Sequence, residues 1–420
     1  MGSAGIFEAH AWLEAGQERM VADLIELANQ NSGSNNVVGL LAVADWLEDW
    51  AGLHPAMLKR IALPARRIIG DDGRELVFET GPALRWDYRP ESRRRVLLAI
   101  HYDTVFGAEH PFQRCHRVTS DKLVGPGVAD AKGGIVVLRY AMQALLKFSL
   151  ANECGWTVLL NPDEEVGSPS SASLMKEIAP DFEFGLLFEP CLPGGEFVSQ
   201  RKGSGNFVLV MRGRSAHAGR DFGQGRNAVA KLCGLLAEID QLNGVRKDTM
   251  INVGSFVGGG PVNVVPDLAV GRINLRLADN DSASWFKHKL KALVSTVNTC
   301  EGFHCEIHGG VTSPAKPITD ETRQLMNAIE SCAGQLGQSI QWKATGGVCD
   351  GNKLAAAGLP NVDTLGPLGD GLHSSQEWVQ VSSLVAKAKL VVELMSRFSS
   401  GQLGSTEQSK IDVETFGGDN

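Results

Sequence analysis

The feature of this 420-residue chain that most limits its fold is the length of its apolar runs, which are all short. "RVLLAI" (95–100), "WTVLLN" (156–161), "FGLLF" (184–188) and "NVDTLG" (361–366) are each the size of one strand. Two long helical patterns lie among and after them, "AKGGIVVLRYAMQALLKF" (131–148) and "VSSLVAKAKLVVELMSRF" (381–398). Strands joined through helices run parallel, and the crossover helices cover both sheet faces. The expected fold is α/β, with a mostly parallel sheet.

Between about 200 and 315 the texture changes. "GNFVLVMRG", "MINVGSFVGG", "LAVGRINLRLA" and "FHCEIHGG" read as strands, while "NAVAKLCGLLAEIDQL" and "SASWFKHKLKALVSTVN" read as helices. The order βαββαβ predicts an α+β, ferredoxin-like unit. It would occupy 200–315 and interrupt a first domain made of 1–199 and 316–420. Two domains also suit the length. The polar end "SSGQLGSTEQSKIDVETFGGDN" (399–420) predicts a mobile tail.

Charge and patterning exclude some functions. The net charge is -8 and no basic run occurs, so no nucleic-acid partner is expected. No apolar run reaches spanning length, so no membrane role is expected. The N-terminus lacks a positive segment followed by an apolar one, which makes the cytoplasm the expected compartment. Eight cysteines are scattered without a CxxC pair. "CEGFHCEIH" (300–308) alternates like a strand, which is its simpler reading than a metal knot.

Chemistry gathers where the strands stop. His101 and Asp103 follow "VLLAI"; Asp163, Glu164 and Glu165 follow "WTVLLNP"; Glu189 follows "FGLLF"; His373 follows "NVDTLGPLGDGL". Asp130 precedes a helix. Ligand sites of open parallel sheets lie at strand carboxyl ends. Any one of these residues alone reads as a capped loop or a hydrogen-bonded histidine. Together they crowd carboxylates that need positive charge, which a metal supplies. Imidazole and oxygen ligands without thiolate suit Zn²⁺, with Co²⁺ or Mn²⁺ as substitutes. Five ligands exceed one catalytic zinc and fit two ions ~3.5–4 Å apart that share a carboxylate. Of the two adjacent glutamates, one can then bind metal while the other takes a proton from water. Lys132 does not mark a phosphate loop, because Ala131 precedes it and Gly133 follows.

"HYDTVF", "GVADAKGG", "DEEVGS", "FEP" and "GLHSSQEWV" resemble, in order, the motifs of the dizinc glutamate carboxypeptidase family. Its relatives include succinyl-diaminopimelate desuccinylase, acetylornithine deacetylase and aminoacylase. The resemblance covers roughly residues 20–400. It implies that His101 and Glu189 bind one zinc, Glu165 and His373 the other, and that Asp130 bridges them. Glu164 would be the general base, and Asp103 would orient His101. It also implies a cis peptide at Asp130–Ala131. The inserted unit resembles a lid and dimerisation domain, so a homodimer is expected. There His217 of "GRSAHAG" would stabilise the oxyanion in the neighbouring subunit, and Asn263 and Arg276 would contact substrate. "GGVTSPAKP" (309–317) lacks the additional arginine that glutamate carboxypeptidase has for the substrate carboxylate, so the resemblance does not by itself carry a glutamate preference. The expected activity is amide hydrolysis in a short peptide or N-acyl amino acid with a free carboxylate. Deacetylase, desuccinylase or N-carbamoyl amidohydrolase activity is the alternative. A non-catalytic binding protein on the same fold is the alternative outside enzymes.

Overall fold

A computed structural model of the chain describes residues 2–50 and 58–403. The polar tail from 404 onward, where mobility was expected, lies outside the described residues. The main sheet has six strands in the order Leu58–Ile61, Ala83–Tyr88, Gly155–Asn161, Arg95–His101, Phe184–Leu187, Asn361–Val362. The last four are parallel. The first two add antiparallel at one edge.

Every residue of Arg95–His101 is buried, as a strand covered on both faces requires. Val96, Leu98 and Ile100 join the apolar cluster that holds the helices Lys132–Lys147 and Val381–Ser399. Leu97 and Ala99 face Met175, Ile178, Leu354 and Leu359 in the cluster on the other side. His101 pairs in register with Asn161, so the two central strands finish level.

The run 361–366 is strand only at Asn361–Val362. Beyond it the chain follows the end of the neighbouring strand: Leu365 N donates to Leu187 O at 3.1 Å and Gly366 N to Glu189 O at 2.9 Å. A Cβ at Gly366 would lie 2.2 Å from Phe188 O, so only glycine permits this approach.

Residues 203–313 build a second sheet with the strand order Met250–Gly258, Leu268–Leu277, Gly203–Arg212, His304–Ser313, antiparallel throughout. The helices Ala228–Asp240 and Asn280–Asn298 share an apolar cluster with this sheet, separate from those of the main sheet. Side chains cap both helices, Asn227 accepting from Ala230 N and Asp279 from Ser282 N. Cys305 is buried in that cluster and His304 is exposed, as the alternation of a strand demands. Where the chain leaves and re-enters the main sheet, Arg201 and Lys316 exchange backbone hydrogen bonds of 3.0 Å.

A small antiparallel sheet joins Gly369–Asp370, Trp378–Gln380, Lys122–Val124 and His116–Thr119. Its hairpin 369–380 carries His373.

Candidate metal centre and active-site cavity

The carboxylate of Asp130 stands between two groups of side chains. Its Oδ1 is 3.1 Å from His101 Nε2, which is 3.7 Å from Glu189 Oε2. Its Oδ2 is 3.3 Å from His373 Nε2, which is 3.2 Å from Glu165 Oε2. His101, Asp130 and Glu165 each offer a ligand atom, all within 4.8 Å of one another.

Local structure explains these positions. His101 is the last residue of its strand, and Glu189 lies two beyond the end of the next. Glu164 and Glu165 open a short 3₁₀ turn after Gly155–Asn161. Asp103 lies beneath both, fully buried. Its Oδ1 is 3.3 Å from His101 Nδ1. It accepts from Ser34 Oγ at 2.6 Å and from the backbone N–H groups of Glu164 and Glu165 at 3.1 and 3.2 Å. His101 Nδ1 lies closer still to the backbone carbonyl of Asp103, at 3.0 Å, so Asp103 contacts the histidine through both its carbonyl and its carboxylate, and the carboxylate also seats the glutamate pair. The peptide Asp130–Ala131 is cis. In "AKGG", a Cβ at Gly134 would lie 2.0 Å from Phe188 O, so the glycine lets the helix begin against the strand that leads to Glu189. His373 has φ +60°, a left-handed conformation that favours glycine, and it sits in the hairpin loop.

Electrostatics mark the site as one that needs cations. Burial pushes the carboxyls of Glu164 and Glu189 up and that of Glu165 up to about 7, with neighbouring carboxylates adding to each. Hydrogen bonds to Asp130 and Glu165 raise His373 to about 10. For Asp130, burial opposes ionisation, yet the hydrogen bonds from His101 and His373 outweigh it and hold the carboxyl well below the usual range. Glu189 Oε1 is buried and has no hydrogen-bond partner among the described residues. A buried acceptor left unpaired costs ~1–3 kcal/mol, more when charged. Crowded carboxylates, two imidazoles and an orphaned oxygen form a donor set that a pair of divalent ions would satisfy.

Asp130, Glu165, Glu189 and His373 line a cavity of about 250 Å³ with Glu164, Arg201, Val348 and Cys349. Three predicted residues lie elsewhere. His217, in the ribbon Ala216–His217 paired with Val264–Val265, and Asn263, in the turn just before Val264, are both exposed, and neither lines the cavity. Ala218 N donates to Asn263 O at 2.9 Å, which holds the two together. Arg276 is half-buried, and its Nη1 donates at 3.4 Å to the carbonyl of Gly346, between the wall residues Thr345 and Gly347.

Sequence reasoning missed Glu377. Its buried carboxylate accepts from the backbone N–H of Gly127, Ala129 and Asp130 at 3.0, 2.9 and 3.0 Å. It also missed Asp363, which accepts from Arg201 Nε and Nη2 at 2.8 Å each and from Lys316 Nζ at 2.6 Å. Glu377 stands within the motif "GLHSSQEWV", but its partner could not be read there, since it and the loop it holds are some 250 positions apart.

The chain is similar to known proteins. The model of peptidase family M20/M25/M40 matches residues 97–397. Carboxypeptidase G2 of a Pseudomonas species is 26% identical over 395 residues, covering 92% of this chain and 91% of that protein. A succinyl-diaminopimelate desuccinylase of Thioalkalivibrio sulfidiphilus is 24% identical over 369 residues, covering 83% and 93%. A metallo-carboxypeptidase of the M20 family from Sulfolobus solfataricus shares the fold, with a TM-score of 0.69 at 16% identity, covering 91% of this chain and 99% of that one. The family match spans more than half of the chain and every residue grouped around Asp130, and the chain belongs to peptidase family M20/M25/M40.

Proposed function

We propose that this chain is a dinuclear metallohydrolase that cleaves the amide bond of a short peptide or N-acyl amino acid bearing a free carboxylate. The observation that carries the reading is the division of ligands about Asp130, His101 and Glu189 on one oxygen and Glu165 and His373 on the other. The donor set favours two Zn²⁺ per chain, with Co²⁺ or Mn²⁺ as substitutes. Bound there, the ions would polarise the scissile carbonyl and offset the repulsion among the carboxylates.

The chain's own groups divide the remaining work. Glu165 faces His373, so Glu164, on the same cavity wall, is the group left to move protons. It takes one from the attacking water and delivers it to the leaving amine. Asp103 keeps His101 in its tautomer and orientation. Arg276, at the rim, offers a planar fork to the substrate carboxylate.

We read 1–199 with 316–420 as the catalytic domain and 200–315 as a lid and dimerisation domain. The separate apolar cluster and the paired crossing at Arg201 and Lys316 support that division. His217 and Asn263 then serve the cavity of a partner subunit, a reading supported by their exposure and by their absence from the wall of their own cavity. The His217 imidazole donates to the oxygen on which charge develops. The cytoplasm is the proposed compartment. Eight unpaired cysteines suit a reducing one, and no described helix is long and apolar enough to cross a membrane.

The test is metal analysis of the purified protein together with hydrolysis of dipeptides and N-acyl amino acids. Up to two ions per chain are expected, with activity lost on chelation and restored by Zn²⁺. Full turnover by demonstrably metal-free protein would overturn the proposal.

A further inference from the structure

Glu189 lies beyond the end of its strand, on a stretch with no helix of its own. Its backbone is held on both sides by one segment. Glu189 N donates to Asp363 O at 3.0 Å, and Gly366 N donates back to Glu189 O at 2.9 Å. Leu365 N adds a bond to Leu187 O at 3.1 Å. That segment is held at Thr364, whose Oγ1 accepts from Val198 N at 2.9 Å and whose carbonyl accepts from Lys387 Nζ at 3.4 Å, and at the Asp363 side chain, fully buried between two cations. Arg201 approaches it with two bonds of 2.8 Å and Lys316 with one of 2.6 Å. Arg201 and Lys316 are the residues paired where the chain passes between the two sheets, and Arg201 also donates to Gly347 O on the cavity wall at 3.3 Å.

We infer that Asp363 is a positioning residue for Glu189, and that through Arg201 and Lys316 it ties this metal-facing glutamate to both crossings into the inserted domain. The inference rests on the metal reading above. Its physical basis is that a buried carboxylate between two cations has one low-energy place. That place fixes the start of the 363–366 segment, and the bond from Glu189 N to Asp363 O passes it on. A residue that orients a metal ligand in this way typically changes metal affinity about 10–100-fold when altered.

The experiment titrates cobalt into the metal-stripped full chain, reading affinity and the visible ligand-field bands. Asp363→Asn is compared with Asp87→Asn. Asp87 is also a buried carboxylate held by Arg85, Lys59 and Thr157, but it lies opposite the amino-terminal half of Gly155–Asn161, away from the carboxyl edge. Urea unfolding of both variants shows how far each loses stability. The expected result is that Asp363→Asn binds one of two cobalt ions about tenfold or more weakly, with altered bands, while Asp87→Asn binds both normally. Equal cobalt affinity and unchanged bands in Asp363→Asn would make Asp363 a structural anchor only. Should Asp363→Asn not fold, Lys316→Met decides instead. It leaves both Arg201 bonds and should weaken one ion about threefold, and an unchanged titration would overturn the inference. A wild-type chain that binds no cobalt would sink the metal reading itself, and this inference with it, a result distinct from two normal sites in both variants.

Discussion

The carboxyl edge of the main sheet and the ribbon that carries His217 are built in opposite ways. At the edge, His101 and Asp103 are fully buried, and the Glu377 side chain holds the Asp130 loop by accepting from the N–H groups of Gly127, Ala129 and Asp130. On the ribbon, the His217 ring accepts one bond, from Gly219 N at 3.1 Å, and Val262 beside it is fully exposed. Carboxylates that must share cations need positions set in advance, because reorganising a buried charged group during reaction is costly. A group that completes a site from outside needs freedom to arrive and leave. On the reading proposed above, the edge must be rigid and the ribbon free to approach a partner's cavity.

Four measurements would break or sharpen that contrast. The largest effect belongs to the rigid edge. Glu164→Gln should keep its metal and lose turnover by about 10²–10⁴-fold, whereas Glu165→Gln should bind less metal. Metal analysis beside steady-state kinetics separates them, and equal metal loss with near-normal turnover in Glu164→Gln would end the division of labour.

The ribbon comes next. His217→Ala should lower kcat by about 10²–10³-fold with metal content intact. Mixing it with Glu164→Gln under subunit exchange should restore about a quarter of wild-type activity, since half the dimers are mixed and each has one complete site of two. Exchange verified by mass, with no recovery, would place His217 within its own chain or outside the reaction.

Glu377 tests whether the edge depends on its distant clamp. Glu377→Gln retains the shape but replaces one of the two oxygens that accept these N–H bonds with a donor, and metal affinity should fall about 10–100-fold. An unchanged affinity would show that the hairpin positions Asp130 without it.

The smallest effect is expected at the boundary between the two regions. Arg276→Ala should raise KM about tenfold for substrates with a free α-carboxylate, roughly the worth of one hydrogen bond to a charged group. The corresponding amides, already poor substrates, should lose little more. Equal losses on both would make Arg276 a brace for Gly346.

Much of this molecule can be read without coordinates. Strand-sized apolar runs without alternation identify a doubly covered parallel sheet, because both faces of each strand must be apolar. Residue types at the ends of those runs mark one edge, because parallel strands end on the same side. That much needs only local periodicity and chain direction. Tertiary structure alone decided the rest. It shortened "NVDTLG" to a two-residue strand, since Gly366 lets the chain close on Phe188 O instead of continuing the ladder. It brought Glu377 to the Asp130 loop and Asp363 between Arg201 and Lys316. It also set His217 on an exposed ribbon away from its own cavity wall. Hydrogen bonds between residues far apart in the chain leave no period in the sequence, so only the folded backbone could reveal which carboxylates hold the site together.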